Sequence, residues 1–420
     1  MTPAARVQAT IEVLSLLLTG TQAADRALRQ YFRQRRYAGS RDRAAVAELL
    51  FDVLRDYSYG RWHAGPHLTP RQAVLIHLLR AGTNPLPLFS GEGHGPVVLD
   101  EAEQALLETV RTHAEQPPAW VRVNCPEWIY PRFEVALGAE TEQELATMNE
   151  RAPVDLRVNL LKSNRDRVIE VLAEDGIAAA PGAICPTAVR LQERVDLRNH
   201  WLYLQGHVEV QDEGSQAIAA LCAPAPGEQI VDFCAGAGGK ALALASSMAG
   251  KGQIYALDND AKRLARLKPR LDRARAHNIQ MHALQGDADP WLASMAARID
   301  CVLVDAPCTG SGAWRRQPEA RWQLREDTLP RLQGLQDRIL AQASRLVKPG
   351  GRLIYATCSL LAEENEERIA AFLAAHPDFS QLRSRTDVSD DGSLRLTPLR
   401  HGTDGFFAIS LLREPSQSAA

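Results

Sequence analysis

From residue 216 onward, apolar strand-like runs alternate strictly with helical stretches, and this alternation restricts the fold more than any other feature of the chain. The runs QIVDFC, GQIYALD, IQMHALQGD, DCVLVD and GRLIYATC are separated by helix-patterned segments, among them GKALALASSMAG, DAKRLARLKPRLDRARAH and TLPRLQGLQDRILAQASRLV. Strands that follow one another through helices pair in parallel, which predicts a doubly wound α/β sheet over 216–413. GFFAISLLR supplies a last strand, and 414–420 reads as a frayed tail.

The chain is 420 residues long, too long for one ordinary core. Residues 1–115 read as an all-helical domain: VQATIEVLSLLL, ADRALRQYFRQRR, SRDRAAVAELLFDVLRDYSYGRW and PRQAVLIHLLRAG place apolar residues at helical spacing. Ser40 and Pro70 are start signals for the third and fourth helices. The stretch TNPLPLFSGEGHGP breaks helix and reads as an exposed loop before a helix over 100–115. Residues 116–215 mix strand and helix patterns and predict a small α+β module. No run reaches the ~18 apolar residues of a membrane span, and the first helix lacks signal-peptide flanks, so a cytoplasmic protein is expected. The seven cysteines are scattered without a Cys-x-x-Cys pair, which argues against a disulfide framework or a zinc site.

The net charge of −3 does not by itself point to nucleic acid. Its distribution is more informative. Basic runs lie at Arg26–Arg43, at Lys262–Arg275, and at Arg315, Arg316, Arg321 and Arg325, the last interleaved with Trp314 and Trp322. Each has a bland reading as a solvated helix face, and the tryptophans as core. Together they favour an anionic polymer, because phosphate contacts dominate such affinity.

Strand QIVDFC runs into Cys234-Ala235-Gly236-Ala237-Gly238-Gly239-Lys240 and then a helix. Glycines at a strand-to-helix turn let a ligand approach the backbone closely at the carboxyl edge of the sheet. A P-loop fails, since Ala241 follows Gly239-Lys240 and Cys234 stands where its first glycine belongs. A dinucleotide fold and a merely structural turn remain as alternatives. Asp258 ends the next strand, suited to ribose hydroxyls, and Asp287 follows the third, suited to the amine of adenine. Acids after both strands, with no arginine cradle for a pyrophosphate, favour S-adenosylmethionine as cofactor.

Strand four ends in Asp305-Ala-Pro-Cys308-Thr-Gly-Ser-Gly, and strand five in Thr357-Cys358-Ser359. Adjacent parallel strands place their carboxyl ends together, so two thiols and a carboxylate converge. A methyl transfer to oxygen or nitrogen needs only a base and alignment. C5 of a cytosine is a weakly nucleophilic carbon, and a thiolate adding at C6 pushes electron density onto it. Cys358 precedes a helix expected near Ala362, whose N-terminal dipole would favour the thiolate. Asp305 suits the N3/N4 edge of the base, and Cys308 is a candidate helper in release.

Through FCAGAGGK, LDND, GD, DAPCTGSG, ATCS and HGTDGFF, residues 120–412 resemble the Sun/Fmu-type (RsmB-like) RNA 5-methylcytosine methyltransferases, as do LRVNLLKSNRDRVIEVL and VEVQDEGSQAIA. The resemblance implies a class I methyltransferase (Rossmann-like) sheet, an RRM-like pre-catalytic module and a NusB-like RNA-binding helical domain. It implies Cys358 as nucleophile, Cys308 as its partner in product release, and Asp305 and Lys240 at the catalytic centre. Cofactor contacts are implied from 234–240, Asp258, Asp287 and Asp305. Ala237 departs from the family pattern, which usually has proline there. The implied partner is small-subunit ribosomal RNA, with tRNA second; a monomer is expected. The rivals are a DNA cytosine-5 methyltransferase, in which Cys308 would attack, and a non-catalytic RNA-binding assembly factor.

Overall fold

The computed structural model describes residues 1–415 other than 21, 194 and 387, so 416–420 of the expected tail lie outside the described residues. The chain divides into two compact units, Met1–Arg151 with Trp314–Glu326, and Ala152–Ala313 with Asp327–Ala420.

The first unit is helical: Pro3–Thr19, Ala24–Arg33, Ser40–Arg55, Tyr57–Ala64, Pro70–Arg80 and Glu101–Thr112 are its longer helices up to 115. Their starts follow the local chemistry. Thr69 and Gln72 form a reciprocal capping box ahead of Pro70, and Asp100 and Glu103 form another, each satisfying free amides of a first turn. Ser40 begins its helix but does not cap it; Gly39 occupies the cap position. The 83–96 stretch is mostly exposed, with Phe89 buried in it beneath the Arg71 guanidinium. Helical structure also continues past 115, with Ala119–Arg122, Tyr130–Leu137 and Thr141–Thr147 in the same unit.

Residues 314–326 complete this core. Trp314 is fully buried edge-on to Phe133, with ring centroids 5.3 Å apart. Arg321 is also buried and donates to Asn124 O and Asn149 Oδ1, both at 2.7 Å, and to Met148 O. Trp322 donates its indole N–H to Leu54 O and packs on Tyr57. Trp314 and Trp322 therefore belong to the core. Of the third basic run, Arg315 and Arg321 are buried.

In the second unit, β1 (Val154–Val158), β2 (Ala179–Pro181), β3 (Ala188–Leu191) and β4 (Val208–Val210) form an antiparallel sheet in the order β2-β3-β1-β4. The larger sheet is built on β5 (Gln229–Asp232), β6 (Gln253–Asp258), β7 (Ile279–Ala283), β8 (Ile299–Asp305) and β9 (Val347–Thr357), parallel in the order β7-β6-β5-β8-β9. Strands β10 (Phe379–Gln381), β11 (Ser393–Leu396) and β12 (Phe406–Arg413) extend it antiparallel, β12 pairing with β9. These parallel strands read as near-continuous apolar runs because both faces of the sheet are covered: Ile230, Ile254 and Ile354 enter one core cluster, Val231, Val304 and Tyr355 another. The crossovers proceed one way from β5 through β6 to β7 and the other way through β8 to β9. The chain thus reverses direction between β5 and β8, opening a crevice at their carboxyl ends. Among the described residues no helix is long and apolar enough to cross a membrane.

Trp314→Ala should destabilise the protein by about 3–5 kcal/mol through the cavity it leaves, read as a lower urea midpoint in far-UV circular dichroism.

Candidate active site at the carboxyl ends of the parallel strands

The glycine turn after β5 needs its glycines for two different reasons. Gly238 has φ +79°, and a Cβ there would lie 2.2 Å from the Leu267 side chain, so neither the conformation nor the space admits another residue. Gly236 has φ +57°, and its amide donates to Asp258 Oδ2 at 2.8 Å, which ties the turn to the end of β6. Ala237, in the place of the expected proline, has its carbonyl held at 2.6 Å by Arg270 Nη1. Gly239 O is held at 2.6 Å by Arg157 Nη1, a fully buried guanidinium that burial brings down to about 10. Two arginines from outside the turn thus fix its carbonyls.

These bonds alter the reading of the second basic run. Arg263 pairs with Asp258, and Arg270 and Arg273 both pair with buried Glu209 of β4. Arg270 and Arg273 are internal braces and Arg263 is a half-exposed one, while Lys262, Arg266, Lys268 and Arg275 face solvent. Of the first run, Arg26, Arg29, Arg33, Arg36 and Arg41 are exposed.

Asp258 is buried and well supplied with donors: Asp260 N reaches Oδ1 at 2.8 Å, and Oδ2 accepts from Gly236 and from Arg263 Nη2 at 2.7 Å. Asp287 lies in the exposed turn beyond β7. Asp258, Asp287, Cys234, Gly286 and Pro307 line one cleft at the strand ends. Ala235, buried, donates its amide to Leu257 O and so closes the turn onto β6.

The register of β8 on β9 sets Asp305 beside Ala356, so the turns that follow start level with one another. Cys308 Sγ and Cys358 Sγ lie 3.4 Å apart. The turns are locked by a close backbone crossing. Gly312 N donates to Cys358 O and Gly405 N to Gly312 O, and a Cβ on Gly312 would sit 2.1 Å from Gly405 O. Gly312 of DAPCTGSG and Gly405 of HGTDGFF therefore serve contact between chain segments. Lys240, buried at the start of its helix, reaches Asp305 Oδ2 at 2.6 Å. Burial opposes the Lys240 ammonium, but Asp305, Asp232 and Cys358 outweigh it and raise its pKa.

The thiols are not equivalent. The contact with Cys358, then burial and the Glu364 charge, push the Cys308 thiol well up. Cys234 lines the cleft, but burial together with Asp305 and Asp232 pushes its thiol up as well. The helix expected near Ala362 starts later: 362–364 is a 3₁₀ turn and the α-helix runs Glu366–Ala375, with acids in its first turn. Its N-terminus is not at Cys358; the charged neighbour there is Lys240.

Several site residues escape sequence reasoning. Asp232, the last residue of β5, is fully buried, and apart from a weak approach by the Ala241 amide neither carboxyl oxygen has a hydrogen-bond partner. Its only signal is an acid inside an apolar strand run. Glu364 and Asn365 grip the two cysteine turns, and Arg157 and Arg270 act across more than one element.

The reversal point between β5 and β8, the glycine turn and the acids at the strand ends define a class I methyltransferase. A model of the RsmB/F 16S rRNA methyltransferases matches residues 219–412, and one of the ferredoxin-like domain of RsmF/B-like methyltransferases matches 125–198. The chain is 34% identical over 400 residues to the ribosomal RNA small subunit methyltransferase B of Sodalis glossinidius, covering 89% of this chain and 90% of that protein. The fold is similar to the crystal structure of PH0851, with TM-score 0.77, 28% identity and coverage of 98% and 99% of the two chains. It is also similar to a methyltransferase homolog protein from Pyrococcus horikoshii, with TM-score 0.61, 27% identity and coverage of 70% and 97%. The chain belongs to the RsmB/F family of 16S rRNA methyltransferases.

Burial, with Asp305 beside it, raises Asp232 to about 7 from 3.8. Its stabilising contribution is complete below the unfolded value and is lost as pH rises through the folded one. Asp232→Asn should therefore gain stability relative to the parent protein progressively from about pH 4 to about pH 7 and keep that gain at higher pH; melting both proteins at each pH checks this.

Proposed function

We propose that this protein methylates C5 of a cytosine in small-subunit ribosomal RNA, using S-adenosylmethionine, with Cys358 as nucleophile. The observation that carries the proposal is the pair of thiols in contact, one turn beyond Asp305 and its Lys240 partner. A pair of this kind suits chemistry at carbon, where a nucleophile must both add and leave. The ribosomal substrate is supported by the relatives, which are small-subunit rRNA methyltransferases along nine-tenths of their length.

The strand-end cleft fits the cofactor by its chemistry. Its lining sets the carboxylates Asp258 and Asp287 and the Arg263 guanidinium beside the apolar Phe233, Leu284 and Ile339; the carboxylates suit hydroxyls and amines, and the apolar side chains suit a flat ring. Residues 234–240, Asp258, Asp287 and Asp305 would hold it, Asp258 exchanging its half-exposed Arg263 partner for ligand hydroxyls. When bound, the cofactor supplies an electrophilic methyl group.

The chain's own residues do the rest. The Cys358 thiolate, its proton released to solvent, bonds to C6 of the cytosine; the C5–C6 π pair shifts to C4–C5 and the C4–N3 π pair onto N3, from where it returns as C5 takes the methyl group. Asp305, fixed by Lys240, receives that edge. Once C5 carries the methyl group it must lose its proton to solvent; the C6–S bond then breaks, returning the electron pair to Cys358. Cys308, held protonated, donates a hydrogen bond to the departing thiolate. A ring reached in this way must be unstacked, so a single-stranded or flipped cytosine is expected. The exposed arginines of the helical unit are suited to the RNA backbone.

Cys358→Ala should abolish both methylation and covalent RNA adducts. Cys308→Ala should still form the adduct and accumulate it, seen as a slow-migrating band on a denaturing gel. Loss of adducts in Cys308→Ala alone would reverse the two roles. Bisulfite sequencing of RNA from cells with and without the protein should show one or more small-subunit rRNA cytosines losing protection; loss confined to tRNA would refute the ribosomal substrate.

A further inference from the structure

Among the buried polar groups, one network surrounds both thiols and has no part in the reaction as derived so far. Glu364 is fully buried. Its Oε1 accepts from Thr309 N at 2.9 Å and from Gln336 Nε2 at 3.0 Å, and its Oε2 accepts from Thr309 Oγ1 at 2.5 Å. Gln336 also donates to Pro307 O at 2.9 Å. Both neighbours of Cys308, Pro307 and Thr309, are therefore gripped by one carboxylate and one amide. The next residue, Asn365, holds the other thiol in the same fashion: Thr357 Oγ1 donates to Asn365 Oδ1 at 2.6 Å, and Asn365 Nδ2 donates to Ser359 O at 2.9 Å. Glu364 with Gln336 on one side, and Asn365 on the other, thus fix the chain before and after both sulfurs.

We propose that Glu364 is a positioning residue of the methyl transfer, setting the contact between the two thiols and making Cys308 the hydrogen-bond donor of the pair. The inference rests on the function proposed above.

Two arguments support it. Buried carboxylates are expensive unless fully hydrogen-bonded or paired. The Glu364 carboxylate accepts from three donors, two on Oε1 and one on Oε2, and none of them is a cation. Its negative charge is therefore left to act on its surroundings, and the nearby thiol is Cys308. The groups that face Cys308 are Cys358 and Tyr355 from β9 and its turn, and Glu364 from the 3₁₀ turn. Tyr355 is itself pushed up by burial and by Cys308, and its hydroxyl donates to Glu364 O at 2.7 Å. No cation acts on Cys308 from these elements, whereas Lys240 lies on the Cys358 side. The pair is asymmetric: a carboxylate with no cationic partner lies behind Cys308, and the Lys240 ammonium, paired with Asp305, lies near Cys358. A negative charge disfavours a second one beside it, so the proton stays on Cys308.

Glu364→Gln tests this, because it keeps the size of the side chain and an oxygen for Thr309 N while removing the charge. Alkylation of each thiol by iodoacetamide, followed peptide by peptide by mass spectrometry over about pH 6 to 10, reads the two sulfurs separately. The alkylation midpoint of Cys308 is expected to fall by about one pH unit or more in the variant. A folded variant whose Cys308 profile matches the parent would overturn the proposal. If Glu364→Gln does not fold, the parent protein decides: Cys358 reacting at lower pH than Cys308 supports the proposal, and the reverse order overturns it. The assay needs neither RNA nor cofactor. Its failure therefore leaves the proposed reaction standing, whereas normal alkylation without adducts in Cys308→Ala counts against the reaction alone.

Discussion

The parallel pairing of β8 with β9 is the constraint on which the site depends. With Asp305 level with Ala356, the turns beyond each strand begin at the same height, and the sulfurs three and two residues further on meet at 3.4 Å. A one-residue slip would turn the alternating side chains of β9 to the opposite face and separate the pair. Everything else holds that register. The Gly312–Gly405 crossing admits no side chain, Lys240 anchors Asp305 from the glycine turn, and the Glu364–Asn365 turn grips the residues flanking each thiol. Reactive groups here owe their position to backbone geometry more than to their own rotamers, in keeping with sites built at strand ends.

The fold was legible because its signal is local. Apolar runs separated by helical periods specify a doubly wound sheet without reference to any distant residue, and the acids and thiols are found by asking where each run ends. Glu364, Arg157 and Arg270 were not legible, because each owes its importance to a partner far along the chain; Asp232 was not, because nothing local tells that its carboxyl oxygens are buried without one. Arg270 looks like one more charge in a basic helix until Ala237 O and Glu209 are placed beside it. The same limit explains the basic runs: spacing counts charges but does not say which are already neutralised. Arg321 among its carbonyls and Arg273 on Glu209 are internal, while the arginines of Ala24–Arg33 stay in water. The helix dipole at Cys358 failed for a different reason. The local pattern after ATCS is helical, but a 3₁₀ turn intervenes, and its last residue and the next are committed to the thiol turns.

The helical unit is discontinuous in sequence, and this has a consequence for its birth on the ribosome. Residues 1–151 emerge well before 314–326, which carry the tryptophan and the arginine that fill its interior. Until then the Phe133 ring lacks its Trp314 neighbour, and the carbonyls of Asn124 and Met148 lack the Arg321 guanidinium. N-terminal domains ordinarily fold first during synthesis. Here completion of the first unit waits for chain that is translated after β8, so the order of folding departs from the order of translation.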